Sequence, residues 1–397
     1  MQEFTGIEYT KIGIANAFGL DKLTYEERLD WVNSHTMDQL KGMVDDADEQ
    51  PIFLAACMAL EKAYKKQPSG FLLEFDACSS GIQILGALTG CERTCTETGL
   101  ILPDVRCDFY TSCTDHMNVA LKNKNIMVTP DRADVKQAAM THFYGSVAKP
   151  EEIFGEDTVE LEQFYETLRE LAPGASLAME DLLNAWQPYA PVHSWVLPDG
   201  FEVVVPNMVE KQFKVEVDEL DHATFTHQVS VNEGTERGVS VAANATHSVD
   251  GMVVREVNRR CNYDPLQITI AVEKLKQWFP SSQLGYNTSK FVSARLLAQI
   301  ANQMIKPEEI ADISGILLEL GEQILAYRSF PIVCIHDAFK CHPNNMNQLR
   351  RHYIQIMRQL AGSDLLEDIL SQIHGTNFKF YKLGDVTNLI NGNYAIS

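Results

Sequence analysis

FLLEFDACSSGIQ, residues 71–83, is the stretch that decides the fold. A short apolar run ends at Asp76, and small residues follow that aspartate. Short apolar runs of this kind indicate a buried strand, although a helical segment has the same composition. An aspartate at the end of such a strand exposes its carboxylate where a neighbouring backbone carbonyl, here that of Ala77, can also reach a metal ion. The stretch therefore predicts a strand that ends in a metal-binding carboxylate.

A second stretch, FPIVCIHDAFK at residues 330–340, repeats the pattern and brings an apolar run to Asp337. Mg²⁺ prefers few carboxylates together with water and substrate phosphates, so Asp76 and Asp337 suffice for a magnesium site. Two ions roughly 3.5–4 Å apart can activate a hydroxyl and stabilise a leaving group. The structural alternative is that each aspartate merely caps a turn.

Between these stretches lies DRADVKQAAMTHFYG, residues 131–145, in which four side chains recur at every fourth position: Arg132, Lys136, Met140 and Tyr144. This spacing predicts that they share one face of a helix, and Gly145 follows directly. Two cations on one face can hold a triphosphate, with an aromatic ring beside the base. An amphipathic surface helix is the alternative. Paired carboxylates and a basic helix together are what template-directed nucleotidyl transfer requires.

The three stretches resemble, in the right order, motifs A, B and C of the single-subunit RNA polymerases of bacteriophages and mitochondria. The resemblance implies an α/β (α+β) fold of the right-hand type, with a palm and fingers. It implies two Mg²⁺ ions held by Asp76, Ala77 and Asp337, a DNA template, an RNA product and ribonucleoside triphosphates as substrates. A set of Cys334, Cys341 and His336 could suggest a metal cluster, but His336 corresponds to the motif C histidine.

The resemblance also implies roles for individual residues. Lys136 corresponds to the lysine that contacts the triphosphate and is a candidate proton donor to pyrophosphate. Tyr144 corresponds to the tyrosine at the substrate sugar that helps to select ribonucleotides. The remaining motif B positions expected to bind substrate are Arg132, Met140 and Gly145.

Further segments extend the resemblance over most of the chain. KIGIANAFGLDKLTYEER, residues 11–28, resembles the segment that precedes motif A and places Lys22 by the triphosphate tail. GVSVAANATHSVDG, residues 238–251, resembles the stretch whose histidine, here His247, contacts the nascent pair. The terminal GDVTNLINGNYAIS resembles a foot that packs back near the active site.

Gly81 separates two enzymatic alternatives. Related DNA polymerases place a glutamate five residues after the motif A aspartate, where it blocks a 2′-hydroxyl. Gly81 occupies that position, and Ala338 replaces the usual glutamate after Asp337. Both favour ribonucleotides over the alternative of a primase or DNA polymerase. A catalytically silent interaction subunit descended from a polymerase is the alternative of another class.

Several family elements are not found in this sequence. It lacks an N-terminal promoter-binding domain, a thumb and a D-x-x-G-R element, whose arginine contacts the template–product hybrid. We therefore expect a second polymerase subunit to supply them, as in the split RNA polymerases that some phages use; the alternative is that the sequence is a fragment of a longer chain. The net charge of −21, from 33 basic and 54 acidic residues, points the same way, because a strongly acidic chain binds DNA poorly. A single-stranded-DNA-binding protein is a second expected partner.

The motifs predict an organisation in five parts: 1–105, palm with motif A; 106–240, fingers with motif B; 241–263, return to the palm; 264–326, a helical insertion; and 327–397, palm with motif C and the foot. Within the fingers, alternation over residues 200–217 predicts a hairpin of EVVV with FKVEV. A hairpin near this position reads the promoter in the family, but Glu216, Asp218 and Glu219 suit duplex DNA badly.

The remaining features restrict the cellular setting. The sequence contains no run of eighteen apolar residues, so we expect no membrane span. The first residues, MQEFTGIEYT, lack the basic and then apolar pattern of a leader peptide. The nine cysteines show no complete zinc-binding spacing and indicate free thiols in a reducing compartment. With the family resemblance, this implies the cytoplasm of an infected bacterial host.

Overall fold

The structure, a computed structural model, describes residues 1–397 and is built mostly from helices. The helices before the middle of the chain are α1 (Gly6–Ala15), α2 (Tyr25–Asn33), α3 (Met37–Gly42), α4 (Gln50–Tyr64), α5 (Ser80–Thr89), α6 (Glu92–Glu97), α7 (Phe109–Asn123), α8 (Arg132–His142), α9 (Ala148–Phe154), α10 (Val159–Leu171) and α11 (Pro173–Asn184). Those that follow are α12 (Ser240–Cys261), α13 (Pro265–Trp278), α14 (Arg295–Ala301), α15 (Pro307–Ile310), α16 (Ser314–Leu325), α17 (Met346–Gly362) and α18 (Leu365–His374).

Local sequence explains where the first helices begin. Thr5 and Glu8 form a capping box at the start of α1, and Thr24 with Glu27 does the same for α2. Each box satisfies backbone N–H groups that have no partner inside the helix, and a cap of this kind contributes about 1 kcal/mol. The box at Thr24 therefore fixes the end of the segment between α1 and α2, which carries Lys22.

Seven strands form three small antiparallel sheets. The strands are β1 (Leu73–Asp76), β2 (Val192–Val196), β3 (Glu202–Pro206), β4 (Met208–Val217), β5 (Ala223–Asn232), β6 (Val333–Ile335) and β7 (Ala338–Cys341). The sheet that carries the two motif aspartates has the order β1-β7-β6, and the other two are the pairs β2-β3 and β4-β5. The expected combination of helices and sheet is confirmed.

The prediction of two buried strands was right for β1 and wrong for β6. Leu73 and Phe75 of β1 are buried, whereas Val333 and Ile335 of β6 are 45% and 50% exposed. The physical reason is that Ile332 and Cys334 pack against the largest apolar cluster, whereas Val333 and Ile335 alternate to the opposite face of β6, which the core does not cover. An apolar run does not by itself show whether a strand is buried on one face or on both.

The predicted hairpin of EVVV with FKVEV is also wrong in its pairing. β3, which contains EVVV, pairs with the preceding β2, so that Trp195 lies opposite Val203. β4, which contains FKVEV, pairs with β5 in a ribbon of ten residue pairs from Met208↔Asn232 to Val217↔Ala223. The alternation of residues was recognised, but alternation does not specify which neighbour a strand pairs with.

Buried apolar residues form three clusters of very different size. The largest contains 69 residues and joins the β1-β7-β6 sheet to α5, α12 and α17. A cluster of 14 residues lies within the helices between Ile268 and Ile324, and a cluster of 10 lies between Ile14 and Leu60. The candidate site is therefore built on the largest core, and helices α13–α16 enclose a core of their own. No helix has the length and apolar character needed to cross a bilayer, and all nine cysteines are free.

Candidate active site

Asp76 and Asp337, far apart in sequence, are brought together by the pairing of β1 with β7. In this register Asp76 lies opposite Ala338, and the backbone N–H of Ala77 donates to the carbonyl of Asp337 at 3.2 Å. His336 and Asp337 form the two-residue turn between β6 and β7, since Ile335 pairs with Ala338. His336 adopts a left-handed backbone with φ 54°, an unfavourable conformation for a residue other than glycine.

Burial and the charges of neighbouring carboxylates both raise the pKa of Asp76. Desolvation raises the pKa of Asp76 to about 6, and the charge of Asp337 adds to the effect, followed by Glu74 and Glu49. Lys22 opposes the increase, but its effect is the smallest of these. A carboxylate whose ionised form is disfavoured by neighbouring anions gains most from a bound cation.

The oxygen atoms around Asp76 suit a hard divalent cation. The backbone carbonyl of Ala77 accepts no hydrogen bond from the chain, so its lone pairs are free, and Ala77 lines the same cleft as Asp76. Carboxylate and carbonyl oxygens are the ligands that Mg²⁺ takes. The residues present therefore fit the predicted metal. The tightest group of possible ligands lies elsewhere, at the exposed tip of the β4-β5 ribbon, where Glu216, Asp218 and His222 approach within 4.8 Å.

Asp250 is a third carboxylate at this site, and the sequence reasoning missed it. It lies on α12, accepts a hydrogen bond from the Ser80 hydroxyl at 3.3 Å, and is partly buried. Desolvation raises the pKa of Asp250 to about 6, and the charge of Asp337 is the next cause. A signal was available, because Asp250 follows His247 by three residues and such residues share a helix face.

Tyr144 and His247 come together from different segments, as the predicted roles require. Their rings stack with centroids 4.1 Å apart and an interplanar angle of 22°. A Cβ atom added to Gly81 would lie 3.1 Å from the Tyr144 hydroxyl oxygen, so the glycine leaves open the space in front of that hydroxyl. Burial, followed by the charge of Asp250, raises the pKa of Tyr144, and the phenol therefore stays protonated.

The motif B side chains divide between helix α8 and the turn after it. Arg132, Lys136 and Met140 lie on α8, whereas Tyr144 lies just beyond the helix end at His142. Gly145 follows with φ 85°, in the left-handed region that favours glycine. The predicted single helical face therefore holds for three of the four side chains, and the left-handed Gly145 follows directly after the turn that carries Tyr144.

The two motif B cations are in different electrostatic states. Arg132 donates to the carboxylate of Asp108 at 2.6 Å and 3.0 Å. Although burial opposes it, this pairing lowers the pKa of Asp108. Lys136 forms no ion pair; its exposed ammonium lies 5.9 Å from the ring centroid of Tyr110. Lys136 is the cation that is free to bind an anion.

A cleft of about 420 Å³ opens beside Asp76 and receives the predicted Lys22, Arg132 and Lys136. Sequence reasoning missed Arg106, which donates to the Cys78 sulfur at 3.0 Å. The charged residues that line the cleft are the carboxylates Asp21, Asp48, Glu49, Glu74, Asp76 and Asp108 and the cations Lys22, Arg106, Arg132 and Lys136. Lys22 is paired with Asp21 at 2.6 Å. A lining with more carboxylates than cations binds an anionic substrate only with help from metal cations.

The last residues of the chain line the same cleft. The backbone N–H of Ser397 donates to the carbonyl of Asp76 at 3.0 Å, and that of Cys78 donates to the carbonyl of Ala395 at 3.2 Å. The rings of Tyr25 and Tyr394 stack 4.5 Å apart and hold this segment against the start of α2. The terminal segment therefore supports the backbone on both sides of Ala77.

Comparison with known proteins identifies the relatives of this chain. Residues 2–151 match the family of DNA-dependent RNA polymerases. A probable DNA-directed RNA polymerase of Neurospora crassa is 29% identical over 166 residues, which cover 36% of this chain and 18% of that protein. A DNA-directed RNA polymerase of Pseudomonas phage phiKMV is 21% identical over 300 residues, covering 62% of this chain and 37% of the phage protein.

These matches confirm the family resemblance inferred from the motifs. The family match includes Lys22, Asp76, Lys136 and Tyr144, and ends before Asp337. The chain spans less than two fifths of the length of either relative.

Proposed function

We propose that this chain, a relative of the DNA-dependent RNA polymerases through residues 2–151, is the catalytic subunit of a DNA-directed RNA polymerase. It would add ribonucleotides to the 3′-hydroxyl of an RNA on a DNA template and release pyrophosphate. The observation that carries the proposal is the pairing of β1 with β7, which brings Asp337 next to Asp76, a carboxylate that lines a cleft together with the unpaired Lys136.

Asp76, Asp337 and the Ala77 carbonyl would hold two Mg²⁺ ions. When bound, the ions lower the pKa of the attacking hydroxyl and offset charge on the phosphates. Asp250 would remain outside this ligand set and hold Ser80, next to Gly81, through its hydrogen bond. We assign to it the role of fixing the start of α5 against α12.

Lys136 would contact the triphosphate and give a proton to the leaving group. In the transfer step the 3′-hydroxyl gives its proton to water, a bond forms between the 3′-oxygen and the α-phosphorus, and the bond from that phosphorus to pyrophosphate breaks. The proton that Lys136 donates would neutralise charge on the departing oxygen, a contribution of about 10²–10⁴-fold for a positioned acid. Arg132 would assist only after its bonds to Asp108 rearrange, and Lys22 would meet the end of the triphosphate.

Tyr144, His247 and Gly81 would select the sugar. The stacked pair of Tyr144 and His247 presents a neutral hydroxyl, and burial lowers the pKa of His247 so that its ring is uncharged. Gly81 leaves room for a 2′-hydroxyl near the tyrosine hydroxyl. Met140 and Gly145 would line the base side, and His336 would fix the turn that carries Asp337.

The arrangement also supports the proposed palm and fingers, with α8 in the fingers and the β1-β7-β6 sheet in the palm. The net charge of −21 supports a role for partners, because most non-specific affinity for DNA comes from basic side chains. We propose a second subunit that binds the template–product hybrid, and a single-stranded-DNA-binding protein at the template. The setting would be the cytoplasm of an infected bacterial host.

The test is magnesium-dependent extension of an RNA primer on single-stranded DNA, with ribonucleotides or deoxyribonucleotides. It is run with the chain alone and with proteins that co-purify with it. We expect ribonucleotide incorporation that requires the partner fraction. Asp76→Asn and Asp337→Asn should abolish it, whereas Asp115→Asn, a change at an exposed and unpaired aspartate on α7, should not.

The alternatives give different results in the same assay. Preferential use of deoxyribonucleotides would indicate a DNA polymerase or primase. No incorporation under any condition, with an unchanged unfolding transition, would indicate an interaction protein derived from a polymerase.

A further inference from the structure

The β4-β5 ribbon has one apolar face and one polar face. Residues that pair across the two strands point to the same side, so the odd-numbered positions share a face. Eight of those ten positions are apolar: Val209, Phe213, Val215, Val217, Ala223, Phe225, Val229 and Val231. The opposite face is polar except for Met208. Such a division is typical of a sheet that covers a core on one side.

No part of this chain covers the apolar face. None of its residues belongs to, or packs against, any of the three apolar clusters. Phe213 and Phe225 are 51% and 54% exposed. A two-stranded ribbon without a packed face is marginally stable in water at best. At ten residues a strand, or about 30 Å, this one requires a cover.

Charge indicates what kind of molecule provides the cover. The ribbon and its turn, residues 208–232, contain five carboxylates and two lysines. Four of the carboxylates lie at the tip, at Glu216, Asp218, Glu219 and Asp221, where His222 lies 2.7 Å from Glu216. Duplex DNA would be repelled by this tip. A second copy of the chain would bring an identical acidic tip and a further net charge of −21.

We propose that the apolar face of the β4-β5 ribbon is the docking surface for a partner protein, which presents an apolar strip flanked by lysine or arginine. The apolar strip covers Phe213 and Phe225, and the basic residues pair with the carboxylates of the tip. The proposal extends the partner part of the proposed function and rests on it. It does not require the cleft to be catalytic.

The probe is a fluorescein-labelled peptide of twelve alternating lysine and valine residues. Its binding to the chain is measured by fluorescence anisotropy without nucleotide or metal. We expect saturable binding of one peptide per chain. The double change Phe213→Ser and Phe225→Ser should weaken binding at least tenfold. The matched control, Gln212→Ser with Thr226→Ser, changes the polar face at neighbouring positions and should leave binding unchanged.

Two further probes separate charge from apolar contact. A lysine–serine peptide should bind at least tenfold more weakly, and a glutamate–valine peptide should not bind. Glu216→Gln with Asp218→Asn should weaken binding of the lysine–valine peptide and reduce its salt dependence. Circular dichroism of every variant, and the primer-extension assay on the same samples, show whether a failure concerns the ribbon or the proposed catalytic function.

Three results would overturn the proposal. The first is equal binding of the lysine–valine peptide to the phenylalanine variant and to the control. The second is tight binding of a 20-base-pair duplex that the phenylalanine variant loses, which would make the ribbon a nucleic-acid reader. The third is a dimer in sedimentation velocity that dissociates in the phenylalanine variant, which would make a second copy of the chain the occupant.

Discussion

Replacing Asp250 by asparagine should stabilise the metal-free chain at neutral pH. The folded protein holds the carboxyl group of Asp250 at a pKa of about 6, against an ordinary value of 3.8. Because the folded-state pKa is raised, the folded chain binds more protons than the unfolded chain between these values. The free energy of unfolding therefore falls as the pH rises from about 4 to about 6, and stays reduced above that. Asparagine keeps the shape of the side chain and removes the charge.

The size of the effect follows from the pKa difference. A gap of about 2 units corresponds to about 3 kcal/mol at pH 7.5, since one unit is about 1.4 kcal/mol. Asp250 is partly exposed, and solvent screening reduces the gain to about 2 kcal/mol. At pH 5.5 the gain should be smaller by about 1 kcal/mol, because part of the wild-type carboxyl population is protonated there.

The change in the free energy of unfolding is measured by urea denaturation in the presence of EDTA at pH 5.5 and 7.5, with circular dichroism as the signal. Asp115→Asn is the matched control, because Asp115 lies exposed on α7 without an ion pair. It should change neither midpoint. The reasoning is refuted if Asp250→Asn lowers the urea midpoint at pH 7.5, or shifts both midpoints equally. A lower midpoint would mean that the ionised carboxylate is stabilised in the metal-free chain, and equal shifts would mean that the effect does not come from titration of Asp250 between these pH values.

Three further predictions concern the candidate active site. Lys136→Ala should reduce the rate of nucleotide addition by about 100-fold or more in single-turnover measurements, whereas Lys122→Ala, on α7 outside the cleft, should not. Because burial raises the pKa of Asp76 to about 6, the affinity for Mg²⁺ should fall about tenfold per pH unit below pH 6 and stay level above pH 7. Calorimetry measures this affinity, and a constant value across the pH range would exclude Asp76 as a ligand. Tyr144→Phe should leave ribonucleotide incorporation nearly intact and improve deoxyribonucleotide incorporation by about fivefold, because phenylalanine removes a hydroxyl that would otherwise be left without a partner, at a cost of about 1 kcal/mol, when the 2′-hydroxyl is absent.

Sequence reasoning located the parts of the site that depend on local pattern. Asp76, Lys136 and Tyr144 were identified because strand-end aspartates and fourfold spacing are visible along the chain. It also named both members of the Tyr144–His247 pair, although only the structure shows their stacking at 4.1 Å. In each of these cases, a short segment carries the information.

The rest could not be predicted because it depends on which segments meet. The exposure of Val333 and Ile335 depends on which face of β6 the core covers, and the pairing of β4 with β5 follows from competition between neighbouring strands. The bond from Arg132 to Asp108 joins α8 to the start of α7 across 24 residues. Such contacts are decided by tertiary packing, and no periodicity along the chain records them.

The balance of charge in the cleft makes nucleotide binding conditional on metal. Six carboxylates and four cations line it, and two of the cations, Lys22 and Arg132, are already paired with Asp21 and Asp108. A triphosphate entering this lining alone would meet a net negative field with Lys136 as its main attraction. Two divalent cations would add four positive charges and reverse the sign. Because the chain's own carboxylates create this dependence, neutralising Asp76 should weaken metal binding and nucleotide binding together, whereas neutralising Asp108 should release Arg132 and strengthen metal-free nucleotide binding. A nucleotide affinity independent of both changes would mean that the triphosphate binds outside the cleft.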